Sequence, residues 1–134
     1  MAFSRRHLPH WIPDEATILV TWRLAGSIPH DDERLDCLGS GPVWLQDPRV
    51  ARVVESALLY GEAVRQFYHL YAWAIMPNHV HVVFQPGVAM AAIMRWLKGR
   101  TSRVANQILG RTGAPFWQDE SFDHWVRNRR NFCI

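Results

Sequence analysis

The chain has 134 residues, 49% of them hydrophobic and 20% charged, with a formal net charge of +3. That balance describes an ordinary globular protein of one domain, residues 1–134, with a modest core. It excludes a membrane span, since no apolar run approaches the ~18 residues that one needs. Met1 to Pro13 contains two arginines but no apolar stretch behind them, so no signal peptide is expected. Cys37 and Cys133 lie far apart with no CxxC spacing. They make neither a zinc knuckle nor a disulfide framework, and a reducing cytoplasm is the expected compartment.

The positive charge is uneven. Residues 95–134 carry eight of the 15 cations against three carboxylates, and Lys98 is the sole lysine of the chain. Arginine's planar fork suits phosphate oxygens and stacks on bases, so nucleic acid is one reading and a solvated basic helix the other.

Taken in order, residues 1–15 read as an extended arm, because His7-Leu-Pro-His-Trp-Ile-Pro13 is too proline-rich for regular structure. Ala16 to Leu24 is β-branched and apolar, a first strand. Residues 31–47 are punctuated by Gly39, Gly41, Pro42 and Pro48 and read as a loop with one helical turn. Asp47-Pro48 supplies a capping residue and a first-turn proline. Val50, Val53, Val54, Ala57, Leu58 and Val64 then follow helical spacing to about Phe67.

Tyr68 to Met76 and His79 to Gln85 are two strand-like runs separated by Pro77-Asn78, a reversal. Proline cannot adopt the primed hairpin turns, which favours a loop wider than two residues. Residues 88–109 carry a second helical stripe of Met90, Ile93, Met94, Leu97, Val104 and Ile108, with Gly99 as a candidate bend. Gly110 to Pro115 stops it, and Phe116 to Val126 supplies a fourth strand. The order β-α-β-β-α-β predicts an α+β fold of the split, ferredoxin-like kind: an antiparallel sheet with both helices on one face.

Residues two apart in a strand share a face, so His79 and His81 project together. If Met76 pairs with His79, Ala74 stands opposite His81 and Ala72 opposite Val83, while Tyr71, Trp73 and Ile75 fall on the other face. Two imidazoles among small residues leave room for a divalent metal, which then needs a further ligand and water. An isolated His-x-His is more often structural; its flanks decide.

Those flanks, Tyr71-Ala-Trp-Ala-Ile-Met-Pro-Asn-His-Val-His-Val-Val83, closely resemble the histidine–hydrophobic–histidine (HUH) signature of single-tyrosine transposases. Arg6-His-Leu-Pro-His-Trp-Ile-Pro13 with Thr21-Trp-Arg-Leu-Ala-Gly-Ser-Ile-Pro29 resembles the branch called REP-associated tyrosine transposases. So do Leu97-Lys-Gly-Arg-Thr-Ser-Arg103 and Phe116-Trp-Gln-Asp-Glu-Ser-Phe-Asp-His-Trp-Val-Arg127. The resemblance runs over nearly the whole chain.

It implies a protein that binds hairpin-forming single-stranded DNA and cleaves beside the hairpin with a tyrosine nucleophile and a divalent ion, Mg²⁺ or Mn²⁺. The tyrosine oxygen attacks phosphorus, a 5′-phosphotyrosine forms and a 3′-hydroxyl leaves; the metal steadies the charge that develops. By the same resemblance His79 and His81 are metal ligands and Asn78 supports the site, with a plain turn role as its alternative. Arg95, Lys98, Arg100, Arg103 and Arg127 are candidates for DNA contact. Trp117 and Trp125 read as core, with base stacking the alternative. His7, His10 and Trp11 are candidates for a DNA-contacting arm. Relatives are monomers or homodimers.

One departure qualifies this expectation. In relatives the nucleophile lies on a further helix, in a Tyr-Ile-x-x-Asn-Pro pattern beyond the Asp-His-Trp-Val-Arg segment, and this sequence shows no such pattern after Arg127. It reads as C-terminally truncated and cleavage-deficient. The competing readings are a non-catalytic hairpin-DNA-binding remnant and a metal-dependent hydrolase drawing on Asp119, Glu120 or Asp123.

Overall fold

A computed structural model of the chain describes residues 2–5, 17–27 and 41–125, with the backbone alone for 2–5, 124 and 125. Strand β1 (Ala2–Arg5) is followed by β2 (Ile18–Leu24), a 3-10 turn at Trp44–Gln46, α1 (Pro48–Ala63), β3 (Tyr68–Ile75), β4 (His79–Pro86), α2 (Met90–Leu109) and β5 (Trp117–Trp125). The sheet runs β1-β3-β4-β2-β5, and every pair is antiparallel. Without β1 this is the expected four-strand arrangement, in which β2 joins two strands distant in sequence.

The first strand alters the reading of residues 1–15 as an arm. Ala2 to Arg5 pair with Ile75 to Ala72, adding a fifth strand to the sheet. The backbone groups of β3 would otherwise form an open edge, and that need overrides a sequence with little strand character of its own. The rest of the arm lies outside the described residues.

Alternation along β2 sorts its side chains. Ile18, Val20, Trp22 and Leu24 are buried in the core, whereas Leu19, Thr21 and Arg23 take the other face. Val80, Val82 and Phe84 of β4, with Leu70, Trp73 and Ile75 of β3, complete the apolar surface on which the helices pack. Here Trp22 meets Trp117 edge to face at 5.8 Å and Tyr68 stacks on Phe84 at 4.8 Å.

Helix α1 begins as its sequence suggests, with the Asp47 carboxylate accepting from the Arg49 amide at 2.9 Å and Pro48 in the first turn. It stops at Ala63, short of Phe67. Gln66 adopts a φ of 54°, and the Phe67 amide returns to Gly61 O at 3.0 Å, turning the chain into β3. Gly61 has a packing role: a Cβ there would lie 2.7 Å from Tyr68 Cζ. Its absence lets Tyr68 approach α1 and donate to Leu58 O at 2.7 Å.

Helix α2 continues through Gly99 and buries Ile93, Leu97, Thr101 and Ala105 before Gly110 caps it with a φ of 69°. Among the described residues no helix is long and apolar enough to cross a membrane.

The histidine face and candidate metal centre

The turn that delivers the histidines is held from outside. Met76 N donates to His79 O at 2.8 Å, so Pro77 and Asn78 alone separate paired residues, a tighter loop than proline's geometry suggests. Leu24 N donates to Asn78 O at 3.0 Å and Leu45 N to Pro77 O at 3.1 Å. These two bonds from neighbouring segments fix a reversal that local preference alone would not select.

The register beyond the turn is the expected one: Ala74 faces His81 and Ala72 faces Val83. On the other side of β4, Thr21 of β2 pairs with His81 and Arg23 with His79. The imidazoles thus sit on the sheet face away from the helices, 4.8 Å apart between centroids and nearly perpendicular. His79 is buried at 1% exposure; His81 is half-buried.

Each ring is oriented by a neighbouring oxygen. His79 Nδ1 lies 2.7 Å from Asn78 Oδ1, and His81 Nδ1 lies 2.8 Å from Thr21 Oγ1. The carboxamide oxygen can only accept, so the His79 Nδ1 facing it carries a proton, and in the neutral ring Nε2 then keeps its lone pair. An oxygen on Nδ1 is the outer-shell pattern that prepares imidazole for a metal, and a pair of imidazoles suits a borderline divalent ion. Asn78 therefore serves both as turn residue, through its backbone, and as a brace for His79, through its side chain.

Among the described residues no third His, Cys, Asp or Glu joins the pair. Asp123 is opposite Val20 in the register, which places it on the helix-covered side. That removes one of the carboxylates the hydrolase reading would need.

Tyr71 departs from the sequence expectation. A β-bulge falls between Leu70 and Ala72, so Leu70 pairs with Phe84 and Ala72 with Val83 while Tyr71 is the extra residue. The bulge carries Tyr71 to the histidine face, where it packs with Ala72, Val83 and Leu19 instead of facing away. Its hydroxyl donates to Gln85 Oε1 at 3.0 Å, and burial pushes its pKa up to about 12. Tyr68 is deeper, its hydroxyl raised further by burial and then by the Glu62 charge. Tyr60 is exposed on α1, on the opposite side of the sheet, and stacks on Trp96 at 6.0 Å.

The cations of α2 do not converge on the histidines, because the helix covers the other face of the sheet. Lys98 Nζ donates to the carbonyls of Gln118, Asp119 and Glu120 at 2.9, 3.0 and 3.3 Å. Partial burial lowers its pKa, and Asp119 opposes that shift. Lys98 thereby clasps the start of β5. Arg95, one turn earlier, is exposed on the same flank. Arg100 lies on the opposite flank, its guanidinium 4.9 Å above the Tyr60 ring, and Arg103 points outward.

Trp117 is core, as expected, its indole donating to Thr101 Oγ1 at 2.8 Å. Arg127, the Trp125 side chain, His7, His10 and Trp11 lie outside the described residues. Sequence reading passed over Thr21 and Arg23, although their alternation within Thr21-Trp-Arg23 already places both on one face of β2.

Comparison with known proteins bears on this arrangement. The family model described as "Transposase IS200 like" matches residues 55–127, more than half of the chain. The solved structure of a REP-associated tyrosine transposase bound to a REP hairpin has a TM-score of 0.57 and 16% identity, with 94% of this chain and 65% of that one covered. The chain thus spans just under two thirds of that protein's length. The crystal structure of a candidate transposase from Deinococcus radiodurans R1 gives a TM-score of 0.54 and 12% identity, covering 94% of this chain and 89% of that one. No curated protein matches. At such identities the structural likeness carries the fold, and the family match spans β3, both histidines of β4, α2 and β5. The chain belongs to the IS200-like transposase family.

Proposed function

We propose that the chain binds hairpin-forming single-stranded DNA and holds a divalent ion, Mg²⁺ or Mn²⁺, through His79 and His81. The observation that carries this reading is the pair of braced imidazoles, with Asn78 on one Nδ1 and Thr21 on the other. Bound there, the ion would polarise a scissile phosphate and offset the charge developing on it. Asn78 and Thr21 hold the ring orientation, and the residue paired with His81 on β3 is the small Ala74. The hairpin bound in the related solved transposase supports the choice of DNA partner.

The chain's own tyrosines do not complete a strand-cleaving site. Tyr68 and Tyr71 donate their hydroxyls to Leu58 and Gln85, and burial disfavours both phenolates. Tyr60 lies across the sheet from the histidines. Incubation of the 134-residue chain with a labelled hairpin and Mn²⁺ should therefore give a retained complex and no covalent protein–DNA adduct. An adduct mapped to any of the three tyrosines would reject this assignment, and no retention of the hairpin would reject the function.

The salt dependence of binding separates the cations. Arg95→Gln and Arg103→Gln each flatten the log–log salt slope by roughly 0.7 if that side chain meets one single-strand phosphate. Lys98→Met leaves the slope unchanged and lowers thermal stability, because its ammonium serves three carbonyls of β5. A flattened slope in Lys98→Met would return this residue to the DNA contacts.

A further inference from the structure

Exposure on the histidine face rises in one direction. Phe122 of β5, Thr21 of β2, His81 of β4 and Ala74 of β3 form a row of paired residues across the sheet. Ala74 is buried, His81 and Thr21 are half-buried, and Phe122 is 59% exposed. Among the described residues, the face therefore opens toward β5, the outer strand of the sheet.

More than half of the large apolar Phe122 ring meets water on an edge strand, where polar residues are the usual protection. Its ring has no place in the core, which lies on the other face. Its neighbours also limit what it can receive. Glu120, two residues earlier on the strand, is exposed, and its charge disfavours phosphate oxygens at this spot. A neutral aromatic surface is not disfavoured in this way. Beyond the β5 edge, Arg95 is exposed on the flank of α2 from which Lys98 reaches β5, a place where a backbone phosphate could be met.

We propose that Phe122 is a stacking platform for one nucleobase of the single strand that lies over His81, so that DNA enters the histidine face across β5. Stacking is sequence-tolerant, because every base presents a π-face. A base held on Phe122 is separated from His81 by the width of one intervening strand, about 10 Å for two strand spacings. A flexible single strand covers that distance within two nucleotide steps. The inference rests on the single-stranded-DNA reading above.

The test uses the full chain, Mn²⁺ and a hairpin with a single-stranded flank carrying 2-aminopurine at successive positions. Phe122→Leu should weaken binding about 5- to 150-fold, the loss equivalent to one stacked base. Quenching of 2-aminopurine should vanish at one flank position, and the salt slope should stay unchanged. Phe122→Trp should retain or improve both signals. Mn²⁺ binding without DNA should be the same in all variants, which separates Phe122 from the metal pair. If wild type and Phe122→Leu bind and quench alike, the platform is rejected while the DNA-binding reading stands. If the wild-type chain binds no single-stranded flank at all, both are rejected.

Discussion

His81→Ala weakens Mn²⁺ binding by more than the roughly 100-fold that bounds the loss of an outer-shell partner. The expectation follows from the donor set: with one imidazole gone, one of the two proposed ligands is lost, and no cluster of three His, Cys, Asp or Glu exists among the described residues to replace it. His81 is only half-buried, so its truncation leaves the core intact, and circular dichroism should show an unchanged fold. Thr21→Val provides the finer measurement. It keeps the shape of the side chain and removes the oxygen 2.8 Å from His81 Nδ1. Mn²⁺ affinity should then fall about 10- to 100-fold, read by titration of the free-ion spin-resonance signal. Unchanged affinity in both variants would remove the metal from the proposed function.

Phe84→Ala produces the largest expected loss of stability. The ring is fully buried in the core, stacked on Tyr68 and paired across strands with Ile18 and Leu70. Removing it deletes apolar contacts with both neighbouring strands at once and leaves a cavity that rigid strands cannot close. The cost should be about 3–5 kcal/mol, a large part of the roughly 5–15 kcal/mol that holds a domain folded. Urea unfolding should show it as a lower midpoint. Phe122→Ala is the contrast: its ring is 59% exposed and outside the core, so its change in stability should stay within about 0.5 kcal/mol. A similar loss at both positions would contradict the assignment of faces.

The element order, the antiparallel sheet and the histidine register were legible because each rests on a local period. Ala74 opposite His81 follows from counting back across a reversal, and the count is correct as long as no residue is inserted. Tyr71 marks where that condition fails. The bulge adds one residue to β3 after five residues of regular pairing, and parity upstream of it inverts. Nothing in Tyr71-Ala-Trp announces this, since a bulge is a property of two strands and periodicity is a property of one.

The role of Lys98 was hidden for a related reason. A lone lysine among arginines on a basic helix suggests phosphate, but its partners are backbone carbonyls some 20 residues later, and carbonyls leave no trace in a sequence. The strand at Ala2–Arg5 is set by the open side of β3 rather than by its own side chains. Asn78 was legible as a turn residue; what the structure adds is that its side chain reaches His79 Nδ1 while its backbone carbonyl is held by Leu24.

The position of β2 in the sheet has a consequence for the order of folding. The β3–β4 hairpin closes over a two-residue turn and can form in microseconds. β2 must instead find β4 across the 60 residues that separate Thr21 from His81, and its far side is covered only when β5 arrives. Closure of such long loops is slow, and chains rich in non-local pairings fold in roughly milliseconds to seconds. The two histidines therefore come together early, carried on one strand, whereas the hydroxyl that orients His81 arrives with the last strands to dock. An imidazole pair exists in the nascent hairpin, but its final geometry belongs only to the finished sheet.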